Sequence, residues 1–197
     1  AKSMETAGLI VSVVDSTIEG YQESQIEAMV DAILAKDPAV VGFTGNTHNR
    51  FNVMKAVSLI REKAPSVLTV VGGPHFGLSH VAEDTMKHTT DIDVVCVGEG
   101  EHPMRDLCLA VRDGKRDEKD FSGIPGLVWK DSRREVVTNK EGRLLPENDL
   151  DMLGMPSWHL IDHTKFHSTL EGGIEGTRAI GLKSTRGCPY ACSFCEN

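Results

Sequence analysis

Apolar positions along this chain switch repeatedly between a strand period and a helix period. Leu9–Val14 (LIVSVV) is a β-branched run ending at Asp15, and it predicts a buried strand. Ile26, Met29, Val30, Ile33 and Leu34 then recur at helical spacing, and Asp37-Pro38 stops the helix they predict. Ala39–Phe43 predicts a second strand, followed by the polar loop Thr44-Gly45-Asn46-Thr47-His48-Asn49. Val53, Val57 and Ile60 mark the next helix, which Pro65 ends. Val67–Val71 predicts a third strand that runs straight into Gly72-Gly73-Pro74-His75, and a less regular helix follows over about Ser79–Lys87. Asp93–Val97 predicts a fourth strand entering Gly98-Glu99-Gly100-Glu101, after which Met104, Leu107, Cys108 and Val111 mark a fourth helix.

Strand and helix alternate with short connections, which implies right-handed βαβ crossovers and a mainly parallel sheet covered on both faces. The expected fold is a flavodoxin-like (Rossmann-like) α/β domain over residues 1–113. Ligands of such sheets bind beyond the carboxyl ends of the strands. Three consecutive strands here end at that edge in loops containing Gly, Asn or His. After Asp113 the pattern changes. Lys115–Asp120 is a charged run that reads as a solvated linker, and Gly126–Lys130 and Glu135–Thr138 flank Asp131–Arg134 as a hairpin. Residues 114–176 are therefore expected to be hairpin and linker, with at most one short helix after Asn148. Ala179–Lys183 is a candidate strand feeding a cysteine loop in a last segment, 177–197.

Composition narrows the functional classes. The chain has 197 residues with 40% hydrophobic and 25% charged, ordinary values for a globular protein. No apolar run is long enough to span a membrane, and no basic stretch followed by an apolar core opens the chain. The net charge is −8 with scattered basic residues, which argues against a nucleic-acid partner, since that needs a clustered basic face. Of the five cysteines, Cys96 and Cys108 sit in apolar patterns and read as small buried hydrophobes. Cys188, Cys192 and Cys195 crowd together and do not form a disulfide framework. They suggest a metal or cluster site in a reducing, cytoplasmic compartment.

The spacing Cys188-x3-Cys192-x2-Cys195 carries the strongest chemical signal. Thiolates are the preferred ligands of iron–sulfur clusters, and three of them hold three irons of a [4Fe–4S] cluster while leaving the fourth open. The alternative is zinc, which wants a fourth ligand. No Cys or His follows Cys195, though His167 lies upstream. The string Thr185-Arg186-Gly187-Cys188-Pro189-Tyr190-Ala191-Cys192-Ser193-Phe194-Cys195 resembles the opening of the radical S-adenosylmethionine (SAM) superfamily. That resemblance implies that the three cysteines bind the cluster, that the open iron chelates SAM, and that Phe194 lies near the adenine. The catalytic barrel of that family needs roughly 200 further residues, so the chain is expected to be an inactive N-terminal fragment of a longer enzyme.

A second resemblance covers most of the chain. Val70-Val71-Gly72-Gly73-Pro74-His75 and Asp93–Glu101 are similar to the cobalamin-binding domain found upstream of many radical SAM enzymes, and Ile124–Val128 and Leu150–Pro156 resemble its linker. The resemblance places cobalamin against Thr44, Gly45, Asn46 and Thr47, against Gly72, Gly73, Pro74 and His75, and against Gly98, Glu99 and Gly100. The residues fit that placement. Gly72-Gly73 lets backbone approach a large flat ligand, although an ordinary tight turn has the same signature. Thr44, Asn46 and Thr47 offer hydroxyl and amide groups. Gly98/Gly100 makes a poor dinucleotide fingerprint, because Pro103 stands where a third glycine belongs.

The chain departs from the family in two ways. Leu9–Asp15 looks like the family's second strand, so the family's first strand, the loop after it and most of its first helix are expected to be missing from the 1–113 domain, with Ala1–Gly8 as the end of that helix. The Asp-x-His-x-x-Gly motif that supplies a cobalt-ligating histidine is not found. His48 and His75 lie on the ligand edge, where either could approach the cobalt of a corrin, but polar loop histidines are the simpler reading, and His102 reads as a first-turn helix residue. His159, His163 and His167 recur every four residues, spacing that could serve a metal on a helix. The resemblance implies a cobalamin-dependent radical SAM enzyme acting on a small molecule such as a porphyrin. Its strings are most like the anaerobic magnesium-protoporphyrin IX monomethyl ester cyclase group, and methyltransferases share them. In such an enzyme the reduced cluster cleaves SAM to a 5′-deoxyadenosyl radical. A non-catalytic cobalamin- or nucleotide-binding module and an interaction scaffold remain the alternatives. An open sheet edge is expected to promote self-association.

Overall fold

β-branched runs at three of the predicted positions do assemble into a parallel sheet. The computed structural model describes residues 1–140, 142, 151–165, 186–188, 190, 192, 193 and 195. Its helices and strands run in the order α1 (Lys2–Thr6), α2 (Ile26–Leu34), β1 (Val40–Thr44), α3 (Arg50–Lys63), β2 (Leu68–Gly72), α4 (Gly73–Phe76), α5 (Ser79–His88), β3 (Val94–Cys96), α6 (Glu101–Arg112), α7 (Glu118–Phe121), β4 (Leu127–Lys130) and β5 (Val136–Thr138). Strand order in the sheet equals chain order. β1 and β2 pair in parallel from Val40↔Leu68 to Thr44↔Gly72, and β2 and β3 pair in parallel at Val70↔Val94 and Val71↔Val95. β4 and β5 then continue the sheet antiparallel, with Val94↔Trp129 and Trp129↔Val137 in register.

Alternation along the strands divides the core between the two faces. Val70, Val94 and Cys96 point to the side covered by Leu107 and Val111 of α6, where Phe121, Leu127 and Trp129 join them. Val71 and Val95 point to the other side, against Val53 and Val57 of α3 and Ala82 and Met86 of α5. Burial on both faces explains why β2, apart from its hydrogen-bonded Thr69, and β3 read as continuous apolar runs rather than alternating ones. The outer layer is closed by Ile26 and Val30 of α2 against Val41, Ala56 and Ile60. Fully burying side chains such as Ile60 and Met86 contributes about 1.5–3 kcal/mol each.

The sequence reading is corrected at Leu9–Val14. This segment lies outside the sheet, and Ile10 is fully exposed. β-branched residues favour extended backbone, but a strand exists only with a ladder partner, and the sheet begins at β1. The expected end of a helix is present as α1, tied to α6 by the Ser3 hydroxyl donating to the Glu101 carbonyl at 2.9 Å. The charged run also differs. Asp117 and Asp120 form a capping box that starts α7, and this short helix buries Phe121 edge-on against Trp129 at 6.0 Å.

Asn139 fixes the hairpin to this layer. Its carbonyl oxygen accepts from Trp129 Nε1 at 3.1 Å, and its amide donates to the carbonyls of Phe121 and Ile124, both at 2.7 Å. At the amino edge, buried Thr69 and Asp93 exchange hydrogen bonds, and Arg61 Nη2 donates to Asp93 Oδ1 at 2.6 Å. Residues up to Ile161 form one compact unit, and a second begins at Asp162. In the second, His163–Lys165 is a 3₁₀ turn and Cys195 N donates to Cys192 O at 3.0 Å. The candidate strand Ala179–Lys183 falls outside the described residues. Among the described residues no helix is long and apolar enough to cross a membrane.

Candidate functional site

Three loops leave the carboxyl ends of β1, β2 and β3, and backbone hydrogen bonds stitch them together. Gly45 N donates to Gly72 O at 2.9 Å, His75 N to Gly45 O at 3.0 Å, and Gly98 N to Gly77 O at 3.0 Å. The glycines make this closeness possible. Gly73 has φ +87°, and a Cβ there would sit 2.3 Å from Thr44 Oγ1 and 3.0 Å from Gly45 N. A Cβ on Gly45 would sit 2.5 Å from the Phe76 ring. These two glycines thus serve first to close one loop on another, building a continuous floor of backbone. Gly98, with φ +72°, differs: nothing lies within 4 Å of where its Cβ would be, so space opens above it.

A polar rim stands on this floor. Thr44, Asn46, Thr47, Pro74 and Gly98 are exposed, whereas Gly72, Gly73, His75, Glu99 and Gly100 are half-buried and Gly45 is buried. Asn46 Oδ1 accepts from the backbone N–H groups of His48 and Asn49, and Asn49 Oδ1 accepts from Asn46 N at 2.8 Å. This reciprocal turn fixes the loop through Oδ1, and the amide nitrogen of exposed Asn46 takes no part in it. Thr47 Oγ1 lies 3.4 Å from His75 Nδ1 and so links the first two loops, and the His75 ring packs edge-on against Phe76 at 4.9 Å.

The sequence reading missed two rim residues. Arg50 donates to the Thr47 carbonyl and stacks over the ring of Phe51 at 4.2 Å, with Phe51 68% exposed. The available signal was an aromatic set off the buried stripe Val53–Val57–Ile60 at the start of a helix. The reading also missed α4, which turns Gly73–Phe76 into one helical turn below the rim. Cys96 lies under this edge. Burial, aided by the nearby Glu101 carboxylate, pushes its thiol from an ordinary 9.0 up to about 11, so it stays protonated and unreactive.

Among the described residues the other predicted ligands do not form a metal-binding group. Cys188, Cys192 and Cys195 are exposed, and no group of three or more His, Cys, Asp or Glu among the described residues is placed to hold a metal ion. Phe194 and His167 lie outside the described residues. His159 and His163 occupy separate 3₁₀ turns rather than one helix face. His159 Nε2 meets Glu5 Oε1 at 2.7 Å, and Ser157 donates to the same carboxylate, whose pKa is lowered chiefly by that hydroxyl.

Residues 1–108, which contain the whole stitched edge, match the B12 binding domain family. The chain belongs to the B12-binding domain family. A backbone floor with open space over Gly98 and a rim of hydroxyl, amide and imidazole groups suits a flat ligand edged with amides. The chain is 28% identical over 187 residues to an uncharacterized methyltransferase of Pyrococcus horikoshii, covering 95% of this chain and 37% of the relative. It is 32% identical to the cobalamin-dependent radical SAM methyltransferase TokK of Streptomyces tokunonensis, over 87% of this chain and 23% of that one. It is 27% identical to the anaerobic magnesium-protoporphyrin IX monomethyl ester cyclase of Rubrivivax gelatinosus, over 93% and 31%. This B12-binding chain therefore spans well under half the length of these relatives. The structure of the cobalamin-dependent SAM radical enzyme OxsB, with aqua-cobalamin and SAM bound, shares the fold at a TM-score of 0.54 and 19% identity, over 66% of this chain and 17% of that one.

Proposed function

We propose that this chain holds cobalamin on the carboxyl edge of its sheet as part of a cobalamin-dependent radical SAM enzyme acting on a small molecule in a reducing, cytoplasmic setting. One observation carries the reading: the B12-binding match over residues 1–108 is followed, in the same chain, by Cys188-x3-Cys192-x2-Cys195. Gly72 and Gly73 keep the floor low, Thr44, Asn46, Thr47 and His75 hydrogen-bond the ligand rim, and Gly98, Glu99 and Gly100 line the side nearest β3. Cys188, Cys192 and Cys195 would hold three irons of a [4Fe–4S] cluster, with Phe194 beside the SAM adenine. When bound, these cofactors supply radical and methyl-transfer chemistry, and the protein positions them. The exposed thiols suit a cluster that is gathered only when iron and sulfide arrive, because such sites seldom preform without their metal.

The reaction is methylation of a substrate or oxidative cyclisation of one such as a tetrapyrrole. The relatives named above include both a cyclase and methyltransferases. A second reading is a cobalamin- or nucleotide-binding module that does no chemistry, since the family match covers residues 1–108 and ends before Cys188, Cys192 and Cys195. Anaerobic reconstitution of the longest natural polypeptide carrying this sequence with iron and sulfide, followed by dithionite and SAM, separates the two. The enzyme reading predicts 5′-deoxyadenosine and methionine as products. A reconstituted protein that forms neither product defeats it and leaves the binding module. We infer in addition that the outer edge of β1, which no described strand pairs, joins a second copy of the chain.

A further inference from the structure

The amino edge of the sheet, at the other ends of the strands from the cobalamin loops, carries a groove of about 310 Å³. Leu68, Phe121 and Trp129, all buried, form its apolar floor. Its rim is cationic: Arg61, Arg116 and Lys130 face a single carboxylate, that of Asp93. The chain as a whole has a net charge of −8, so ordinary surface composition does not account for this local excess. The cations are also held in place rather than left to swing. Arg116 Nη1 donates to the Ser66 carbonyl at 2.8 Å, and Lys130 Nζ donates to the Thr89 carbonyl at 2.6 Å. Arg61 donates through Nη1 to the Pro65 carbonyl at 3.0 Å and through Nη2 to Asp93 Oδ1 at 2.6 Å. Its Nε is buried without a hydrogen-bond partner, so part of this charge is left uncompensated. The bonds to carbonyls use only part of the donor sets of Arg116 and Lys130. Neither has a carboxylate partner among the described residues.

We propose that this amino-edge groove binds a phosphate group, free or carried on a small metabolite. Arg116 and Lys130 donate to its oxygens, and Arg61 supplies a fixed positive potential beneath them. A phosphate is the anion that fits best, because its charge and its several strong acceptor oxygens serve cations from separate elements at once. The apolar floor keeps the local dielectric low and strengthens the charge pairs formed over it. Arg116 precedes α7, Lys130 ends β4, and Ser66 precedes β2. A ligand shared by the two cations therefore ties the α7 layer and the hairpin together over the start of β2. The site is independent of the corrin reading and stands or falls without it.

The test titrates inorganic phosphate and glycerol 3-phosphate into the longest natural polypeptide carrying this sequence, by calorimetry at an ionic strength held constant with sodium chloride. Saturable binding with a Kd of about 1 mM or tighter is expected. Arg116→Gln and Lys130→Gln should each weaken it about tenfold, the loss of one charge-assisted hydrogen bond. Arg116 is exposed, so replacing it leaves the core intact. Arg116→Lys keeps the charge and should recover part of the loss. Lys115→Gln removes an equal charge from a neighbour that does not line the groove, and its affinity should stay within about twofold of the parent. Circular dichroism melting checks folding, and phosphate should raise the melting temperature of the parent but not of the Arg116→Gln, Lys130→Gln double variant. Tighter binding of glycerol 3-phosphate assigns the groove to a phosphorylated metabolite, and equal or weaker binding assigns it to free phosphate. Absence of saturable binding of either overturns the inference. So does binding that both groove variants leave intact, or that Lys115→Gln weakens as much as they do.

Discussion

At the scale of single residues, the same amino acid does different work according to depth. Cys96 lies beneath the ligand edge with a thiol held protonated by burial, and Cys108 is raised in the same direction by the same cause. Cys188, Cys192 and Cys195 are exposed. A thiol-reactive probe at about pH 8 should therefore label these three rapidly and the other two slowly, because reactivity follows thiolate content and access. All five should react in denaturant. Rapid labelling of Cys96 in the native protein would contradict the described core. The pH sign follows from the same shift: the folded thiol titrates near 11 and the unfolded one near 9.0, so its contribution to stability is whole below 9.0 and is lost as pH rises toward 11. Residue types made the thiol depth legible in the sequence, since Cys96 sits in an apolar run. They did not reveal Arg50 and Phe51 as rim residues, because neither carries a motif and their role depends on where the first turn of α3 faces.

At the scale of elements, periodicity and punctuation did most of the work. Ile26–Leu34, β1, β2, α5 and β3 lie where apolar spacing and Pro38 put them, within a residue or two at their ends, and α3 and α6 enclose the apolar positions that marked them. The failure at Leu9–Val14 has a physical cause. Propensity specifies extended backbone, but pairing is a long-range property that a local pattern cannot show. The charged run that became α7 shows the converse: a capping box and one buried phenylalanine outweigh the exposed charged residues around them. The site glycines were legible as glycines but not in their main role, since only the structure shows Gly73 against Thr44 and Gly45 against Phe76.

The edge of β1 makes its own prediction. No described strand pairs with its outer side, and an unpaired strand edge templates pairing with another chain. Light scattering of residues 1–197 should show association that grows with concentration. A monodisperse monomer across the accessible range would contradict the pairing.

At the scale of the whole molecule, the parallel strands β1–β3 explain why the proposed ligand edge lies where it does. Strands buried on both faces leave only their ends free, and the carboxyl ends here carry the glycines and the polar rim. The opposite edge is closed instead by the Thr69–Asp93–Arg61 network. That division was readable from strand endings alone, because three consecutive strands run into Gly-, Asn- or His-containing loops. How Cys188, Cys192 and Cys195 would be gathered in the proposed cluster site was not readable, since metal-site ligands come together through the metal rather than through chain propensity. The central claim is that the carboxyl edge holds cobalamin. The most direct measurement mixes the longest natural polypeptide carrying this sequence with hydroxocobalamin, removes free ligand by desalting, and reads the corrin absorbance that travels with protein. The account predicts near-stoichiometric retained corrin, and protein that emerges colourless would contradict it.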